Sequence, residues 1–447
     1  MDTDKTPSAF DQVSNWFSRS VTVKLFMILL LALLLLIPAS MITGLIHERQ
    51  SLQTESVQEV SSNWAMDQEI VGPVITIPVM RTQANGAGGW IEYVQLLPEN
   101  LTIKGNVTPE QLHRGIYETI VYRTKLDVAA TFDTTFVRSV IGENDRIDWS
   151  KAVISIGIPD MRGIEQEILL QMNGKAYTVN PGIPDYAIVK SGVSAVIPLA
   201  SIMDGSSLDV QFSLALQGSS ILSFLPVGKN THVTLNSKWQ DPAFTGAFLP
   251  DSRTVNSDGF SADWKVLQLN RNFPQVWTGS TYNDELTTTG FGVELINGAD
   301  DYQKSMRSVK YALLTIALTF LTFFLTETIN KKRIHPFQYI LVGLALCLFY
   351  ILLISLSEQL TFDTAYCISS LVIVAMITLY SRTFFALWKH SLLLMLVLIG
   401  LYGYLYVTLQ ATDYALLIGA AGLTVMLGLT MYLTRRVNWY GSLRNEE

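Results

Sequence analysis

Four carboxylates at the edges of long apolar runs are the residues best placed to do chemistry in this chain. Glu327 and Glu358 each follow an apolar run, and Asp363 and Asp413 each open one. An ionisable side chain in or beside hydrocarbon is costly, so each calls for a pairing partner or for a task such as relaying protons or cations. Loop charges, set out below, put Glu327 near one face of a membrane and Glu358 and Asp363 near the other, with Tyr350 and Tyr366 between. That spacing suits the two ends of a proton or cation path. No charge falls at mid-span, where relays usually place one, so the plainer reading makes these carboxylates markers of helix boundaries, where interfacial water lowers their cost. His335 precedes Pro336 at the start of another run, where an imidazole either titrates near its ~6.5 reference value or bonds the helix end. The triplet Lys331, Lys332 and Arg333 just before it suits contact with anionic lipid headgroups, at ~1 kcal/mol per residue.

The elements that must position these residues are six apolar runs. Leu25–Ile46 stands alone and uncharged; the other five crowd into Ser308–Asn438, at roughly Tyr311–Leu325, Phe337–Leu356, Ala365–Tyr380, Leu392–Leu409 and Tyr414–Leu433. Several approach the ~20 residues that carry a helix across ~30 Å of hydrocarbon. Short-loop Lys and Arg residues stay on the cytoplasmic side. They fall at Lys5, Arg19 and Lys24, at Lys331 to Arg333, at Arg382 and Lys389, and at Arg435, Arg436 and Arg444, whereas Ser357–Thr364 and Gln410–Asp413 have none. The predicted topology is therefore multi-pass with both termini cytoplasmic. Lys304, Arg307 and Lys310 belong to the long translocated segment, where the rule weakens. Leu25–Ile46 exceeds the about 7–15-residue apolar core of a cleaved signal peptide and reads as an uncleaved anchor.

Residues 47–310 hold 20 Lys and Arg against 29 Asp and Glu, which gives nucleic-acid binding no support. Period-2 alternation recurs there, in Trp90–Leu96, Lys125–Phe132, Val153–Ile158, Leu208–Leu216, Thr231–Lys238 and Trp264–Leu269, as half-buried strands require. Turn signals separate them, among them Gly105-Asn106, Asn173-Gly174, Pro181-Gly182 and Asp258-Gly259. Many short strands between such turns predict a sandwich. Helical spacing appears only at His47–Trp64, as an outward continuation of the first span. Both cysteines, Cys347 and Cys367, fall in apolar runs, and the five histidines show no metal-ligand spacing, so neither a disulfide framework nor a zinc site is predicted for the soluble part. Asp300-Asp301 and Glu165/Glu167 could hold a cation, but solvated loops explain them as well. No nucleophile elbow, zinc-protease helix or phosphate loop is present. Gly419, Ala420, Ala421 and Gly422 are small enough for close helix packing, within one bundle or in a homo-oligomer.

One block is distinctive: Tyr302-Gln303-Lys304, Val309-Lys310-Tyr311-Ala312, Glu327, Ile334-His335-Pro336-Phe337-Gln338-Tyr339, Leu341–Leu346, Leu348-Phe349-Tyr350 and Leu356-Ser357-Glu358. It resembles the CreD family of bacterial inner-membrane proteins, described as cell-envelope integrity proteins. Gly72-Pro73, Leu97-Pro98-Glu99, Arg114–Tyr117, Asp160–Ile164, Gly246–Pro250 and Phe273–Trp277 agree, so the resemblance spans about Thr22 to Leu433. In that family the Ser-Glu step is usually followed by His, where this chain has Gln359. The resemblance implies a place in an envelope- and metabolism-responsive regulon and an influence on tolerance of envelope-active agents. It brings no catalytic residue.

The predicted fold is a polytopic α-helical membrane protein of six transmembrane helices with a large all-β, sandwich-like periplasmic domain inserted between helices 1 and 2. Its segments are a cytoplasmic tail (1–24), a signal-anchor helix (25–46), the periplasmic domain (47–307), a five-helix bundle (308–434) and a second cytoplasmic tail (435–447). The expected function is non-enzymatic maintenance of the inner-membrane envelope, without cofactor or metal. The partners are the lipid bilayer and an envelope component or protein on the periplasmic side. The rival readings are an ion-coupled transporter using Glu327 and Glu358, and a sensor acting through a partner protein.

Overall fold

The computed structural model describes residues 21–82, 89–184, 188–199, 207–296, 301–330, 334–385, 387–411 and 415–435. The chain forms two compact units, Gln53–Gly298 and a second made of Met1–Leu52 with Ala299–Glu447.

The first unit is built on two sheets. The ten-stranded sheet takes β1 (Gln68–Thr82), β2 (Gly89–Leu96), β5 (Arg146–Ile147), β6 (Val153–Gly157), β9 (Asn180–Pro181), β10 (Gly192–Val196), β12 (Ile221–Phe224), β14 (Pro242–Gly246), β17 (Val276–Thr278) and β18 (Phe291–Leu295). The eight-stranded sheet takes β3 (Asn100–Arg114), β4 (Tyr117–Asp133), β7 (Leu169–Met172), β8 (Lys175–Thr178), β11 (Ser207–Ser219), β13 (Asn230–Ser237), β15 (Ser252–Asn256) and β16 (Gly259–Leu267). Its order is β15-β16-β13-β3-β4-β11-β7-β8, antiparallel except for the parallel β13–β3 pair. Alternation decides the faces: Leu101, Ile103 and Val107 of β3, Leu126 and Val128 of β4, and Val210 and Leu214 of β11 are buried. They join Ile75, Ile77 and Val94 of the other sheet in one apolar core. A short helix, α3 (Asn283–Thr287), lies between β17 and β18.

The turn expected at Gly105-Asn106 is absent, and β3 runs straight through it for 15 residues. The reason is packing. A Cβ at Gly105 would stand 2.6 Å from side-chain atoms of both Leu126 and Leu235, so glycine serves close approach within a strand. The turns at Asn173-Gly174 and Asp258-Gly259 do close hairpins, β7–β8 and β15–β16.

The second unit is helical. α1 (Val21–Leu34) is followed at once by α2 (Leu36–Trp64), and then come α4 (Asp301–Lys310), α5 (Ala312–Asn330), α6 (Pro336–Ser357), α7 (Phe362–Ser381), α8 (Trp388–Gln410) and α9 (Ala415–Thr434). Among the described residues four helical stretches are long and apolar enough to cross a membrane, and five if α4 and α5, bent by 45°, count as one span. α4 groups with this unit, although its Lys304, Arg307 and Lys310 read in sequence as the end of the translocated segment. It is amphipathic, burying Tyr302, Ser305, Ser308 and Val309. α1 packs on α5 and α6, and Gly343 of α6 opens the contact: a Cβ there would lie 2.1 Å from Leu35.

The Phe273–Trp277 stretch owes its shape to a buried cation. Arg271 is only 7% exposed, and its guanidinium donates to the carbonyls of Phe273 (3.2 Å), Val227 (3.2 Å) and Gly228 (3.1 Å) and to Gln275 Oε1. Gln275 passes the link on to the Pro98 carbonyl at 2.5 Å. Burial pulls the Arg271 pKa down to about 10, which leaves it cationic at neutral pH. Arg271→Leu takes a donor from three carbonyls, of which Val227 and Gly228 keep a second from Gln275 Nε2 and Thr231 Oγ1, and should destabilise the protein by about 2 kcal/mol, read as a lowered melting temperature of the full chain in detergent.

Candidate functional site

Among the described residues, the helical unit pairs the carboxylates Glu327, Glu358 and Asp363 near its helix ends. α5 carries Glu327 to its last turns along a threonine-rich helix whose hydroxyls at Thr315, Thr319, Thr322 and Thr326 all donate to carbonyls four residues back. Glu327 is buried, at 5% exposure. Its Oε1 pairs with the Lys24 ammonium of α1 and accepts from the Ile334 amide at 2.9 Å. Its Oε2 accepts from the Tyr339 hydroxyl of α6 at 3.1 Å, and the Tyr339 ring is held edge-on by Phe320 at 5.4 Å. One carboxylate thus ties α1, α5 and the start of α6 together.

At the far end of α6 a second set repeats the chemistry. Glu358, the C-cap residue, accepts from the Tyr302 hydroxyl of α4 at 3.3 Å and lies 3.7 Å from Arg49 Nε of α2. The two sets are separated by the 22 residues of α6, about 33 Å at 1.5 Å per residue. Asp363, in the first turn of α7, instead accepts from Gln410 Nε2 of α8 at 2.7 Å, and Gln410 also donates to the Tyr406 hydroxyl at 3.0 Å. His335 caps α6: its Nδ1 accepts from the Phe337 amide at 3.2 Å, and its own amide donates to Gln338 Oε1 at 3.0 Å. Tyr350 and Tyr366 are brought together around Phe349, with ring centroids at 5.0 and 5.4 Å, and Tyr366 donates to the Tyr402 carbonyl at 2.7 Å. Glu327 and Glu358 do not meet. Asp413, Lys331, Lys332 and Arg333 lie outside the described residues.

Sequence reasoning missed the concave outer face of the eight-stranded sheet. Two adjoining hollows of about 590 and 650 Å³ share Lys104 and Asp127. Lys104 and Asn106 of β3, Lys125 and Asp127 of β4, and Thr234 and Asn236 of β13 line the first. Gln171 of β7 with Gln211 and Ser213 of β11 extend the second. Register sets this assembly, because Lys104 stands opposite Asp127 and Thr234, and Asp127 opposite Ser213. The carboxylates here are engaged: Asp127 accepts from Ser213 Oγ at 2.7 Å, and Glu165 from Arg123 Nε at 2.9 Å and Gln217 Nε2 at 2.7 Å. Lys104 and Lys125 have neither ion pair nor hydrogen bond among the described residues. The only sequence signal was the polar half of each strand's alternation, which does not say which strands adjoin.

Residues 20–440 match the family described as Inner membrane protein CreD. The chain belongs to the CreD family. Inner membrane protein CreD of Escherichia coli (strain K12) is 34% identical to it over 415 residues, which covers 91% of each chain. The CreD name is that of an inner membrane protein and carries no enzymatic term, in keeping with helices apolar enough to span a bilayer. The M1 zinc metallopeptidase from Deinococcus radiodurans aligns over 44% of this chain and 42% of its own, at 10% identity and a TM-score of 0.20. A likeness that slight bears on neither fold nor activity of a CreD chain.

Removing one partner of a buried ion pair costs about 3–5 kcal/mol, since the other charge stays buried and alone. Glu327→Gln keeps the acceptor for Ile334 and Tyr339 but abandons Lys24. It should therefore lower the melting temperature and the membrane abundance of the full chain far more than Asp363→Asn, whose site is exposed.

Proposed function

We propose that this chain is a non-enzymatic protein of envelope maintenance that holds an envelope component in the hollowed face of its eight-stranded sheet. It spans the inner membrane six times with both termini cytoplasmic, and the β unit lies in the periplasm. α9 supports the sixth span, its 20 residues being free of charge, and the loop distribution of Lys and Arg supports the orientation. The bilayer is the partner of the helical unit, and close helix packing leaves room for a homo-oligomer.

One contrast carries this reading. The described carboxylates at the ends of the helices, Glu327, Glu358 and Asp363, each have partners, while two ammoniums in the sheet hollow have none among the described residues. Donors that are already placed, yet bonded to nothing in their own fold, are what a binding face needs. The reading as an ion-coupled transporter requires Glu327 or Glu358 to leave its pair, and the reading as a sensor requires a separate output protein.

Complementation of a deletion strain under envelope stress separates them. Lys104→Glu with Lys125→Glu should lose rescue at wild-type membrane abundance, and Glu358→Gln should keep it. The opposite pattern, rescue by the lysine variant and none by Glu358→Gln, transfers the function to the helices.

A further inference from the structure

We infer that the hollow takes a carboxylate-bearing glycan strand; this rests on the envelope-binding reading above and names its ligand class. The lining is the first ground. Among the lining side chains that are not buried, only Ala129, Ala215 and Leu169 are apolar, and the rest offer ammonium, guanidinium, amide, hydroxyl or carboxylate groups. A protein partner is recognised through an aromatic-rich core depleted of charge, and a lipid tail needs an apolar wall. Neither is present. Amides and hydroxyls beside two cations match a chain of hydroxyl and carboxylate groups.

Charge is the second ground. Gln53–Gly298 carries 16 Lys and Arg against 26 Asp and Glu, and several of its lysines, Lys104, Lys125, Lys238 and Lys265 among them, have no ion pair among the described residues. Lys104 and Lys125 sit in one hollow, diagonal to each other across the β3–β4 pair, about 7 Å apart in such a register. Ammonium-to-carboxylate hydrogen bonds are the strong, short kind, and this spacing can address one carboxylate from two sides or two neighbours along a strand. Shape is the third. The joined hollows follow β3 from Thr102 to Thr108, about 20 Å at ~3.4 Å per residue, a length that suits an extended polymer.

The test uses the full chain in lipid nanodiscs and three soluble probes of matched length: oligogalacturonate, neutral cello-oligosaccharide and oligoglutamate. Oligogalacturonate should bind, with affinity falling as salt rises, and the other two should bind at least about tenfold more weakly. Lys104→Gln with Lys125→Gln should weaken oligogalacturonate binding about tenfold. Lys265→Gln, outward on β16 and outside the hollow, should leave it unchanged, and equal melting temperatures would show both variants folded. Absence of oligogalacturonate binding, or binding indifferent to the lysine pair, overturns the inference. Equal binding of oligoglutamate overturns its glycan half. If no probe binds while the lysine variants still lose rescue in cells, the ligand class falls and the envelope-binding reading stands. If those variants rescue fully, the reading itself falls.

Discussion

A carboxylate at 5% exposure in a bundle of apolar helices must have its charge closed, and Glu327 is where this bundle meets that demand. An isolated ion in such surroundings costs several kcal/mol, and its partner recovers that cost only with good geometry and satisfied lone pairs. Lys24, the Ile334 amide and the Tyr339 hydroxyl supply both conditions. Much of the helix arrangement follows: α1 must present its first turns to α5, the Ile334 amide just before α6 must reach the same oxygen, and Tyr339 must face inward, where Phe320 and Phe323 hold it. Glu358 answers a weaker version of the same demand at the other end of α6, with a longer contact to a more exposed arginine.

The β unit obeys a complementary constraint. A sheet with one face in the core can leave the other to water, and nothing in stability then dictates what the wet face carries. Asp127 and Glu165 have partners within the fold, so their placement serves the sheet as well as any ligand. Lys104 and Lys125 have none among the described residues, and that difference is what gives the hollow its functional reading.

Much of this architecture was legible in the residues themselves. Apolar runs such as Phe337–Leu356 are long enough that no competing element explains them, and α6 follows. Alternation in Leu208–Leu216 and Thr231–Lys238 assigns the buried face of β11 and β13 correctly. The α4 helix was hidden because its buried side includes Ser305 and Ser308, which break the apolar periodicity that marks a helix, while its three cations read as the end of the translocated segment. Gly105-Asn106 reads as a turn because local preference says nothing about two leucines closing on the same backbone from neighbouring strands. Glu327 stood out as a carboxylate at the edge of an apolar run, but Lys24 lies 303 residues away, and no spacing rule reaches that far. The hollow draws on residues of β3, β4, β7, β11 and β13, so it exists only once the strand order does.

The central claim is that Glu327 holds helices together and performs no proton or ion chemistry. Neutralising both members of the pair, Lys24→Gln with Glu327→Gln, removes the charge while leaving an acceptor for Tyr339 and Ile334. The most direct measurement is the melting temperature of that double variant alongside its rescue of a deletion strain at matched abundance. The account predicts stability within about 1 kcal/mol of the native chain and full rescue. A double variant that folds and inserts normally yet fails to rescue would contradict it, and would make the carboxylate itself the functional group.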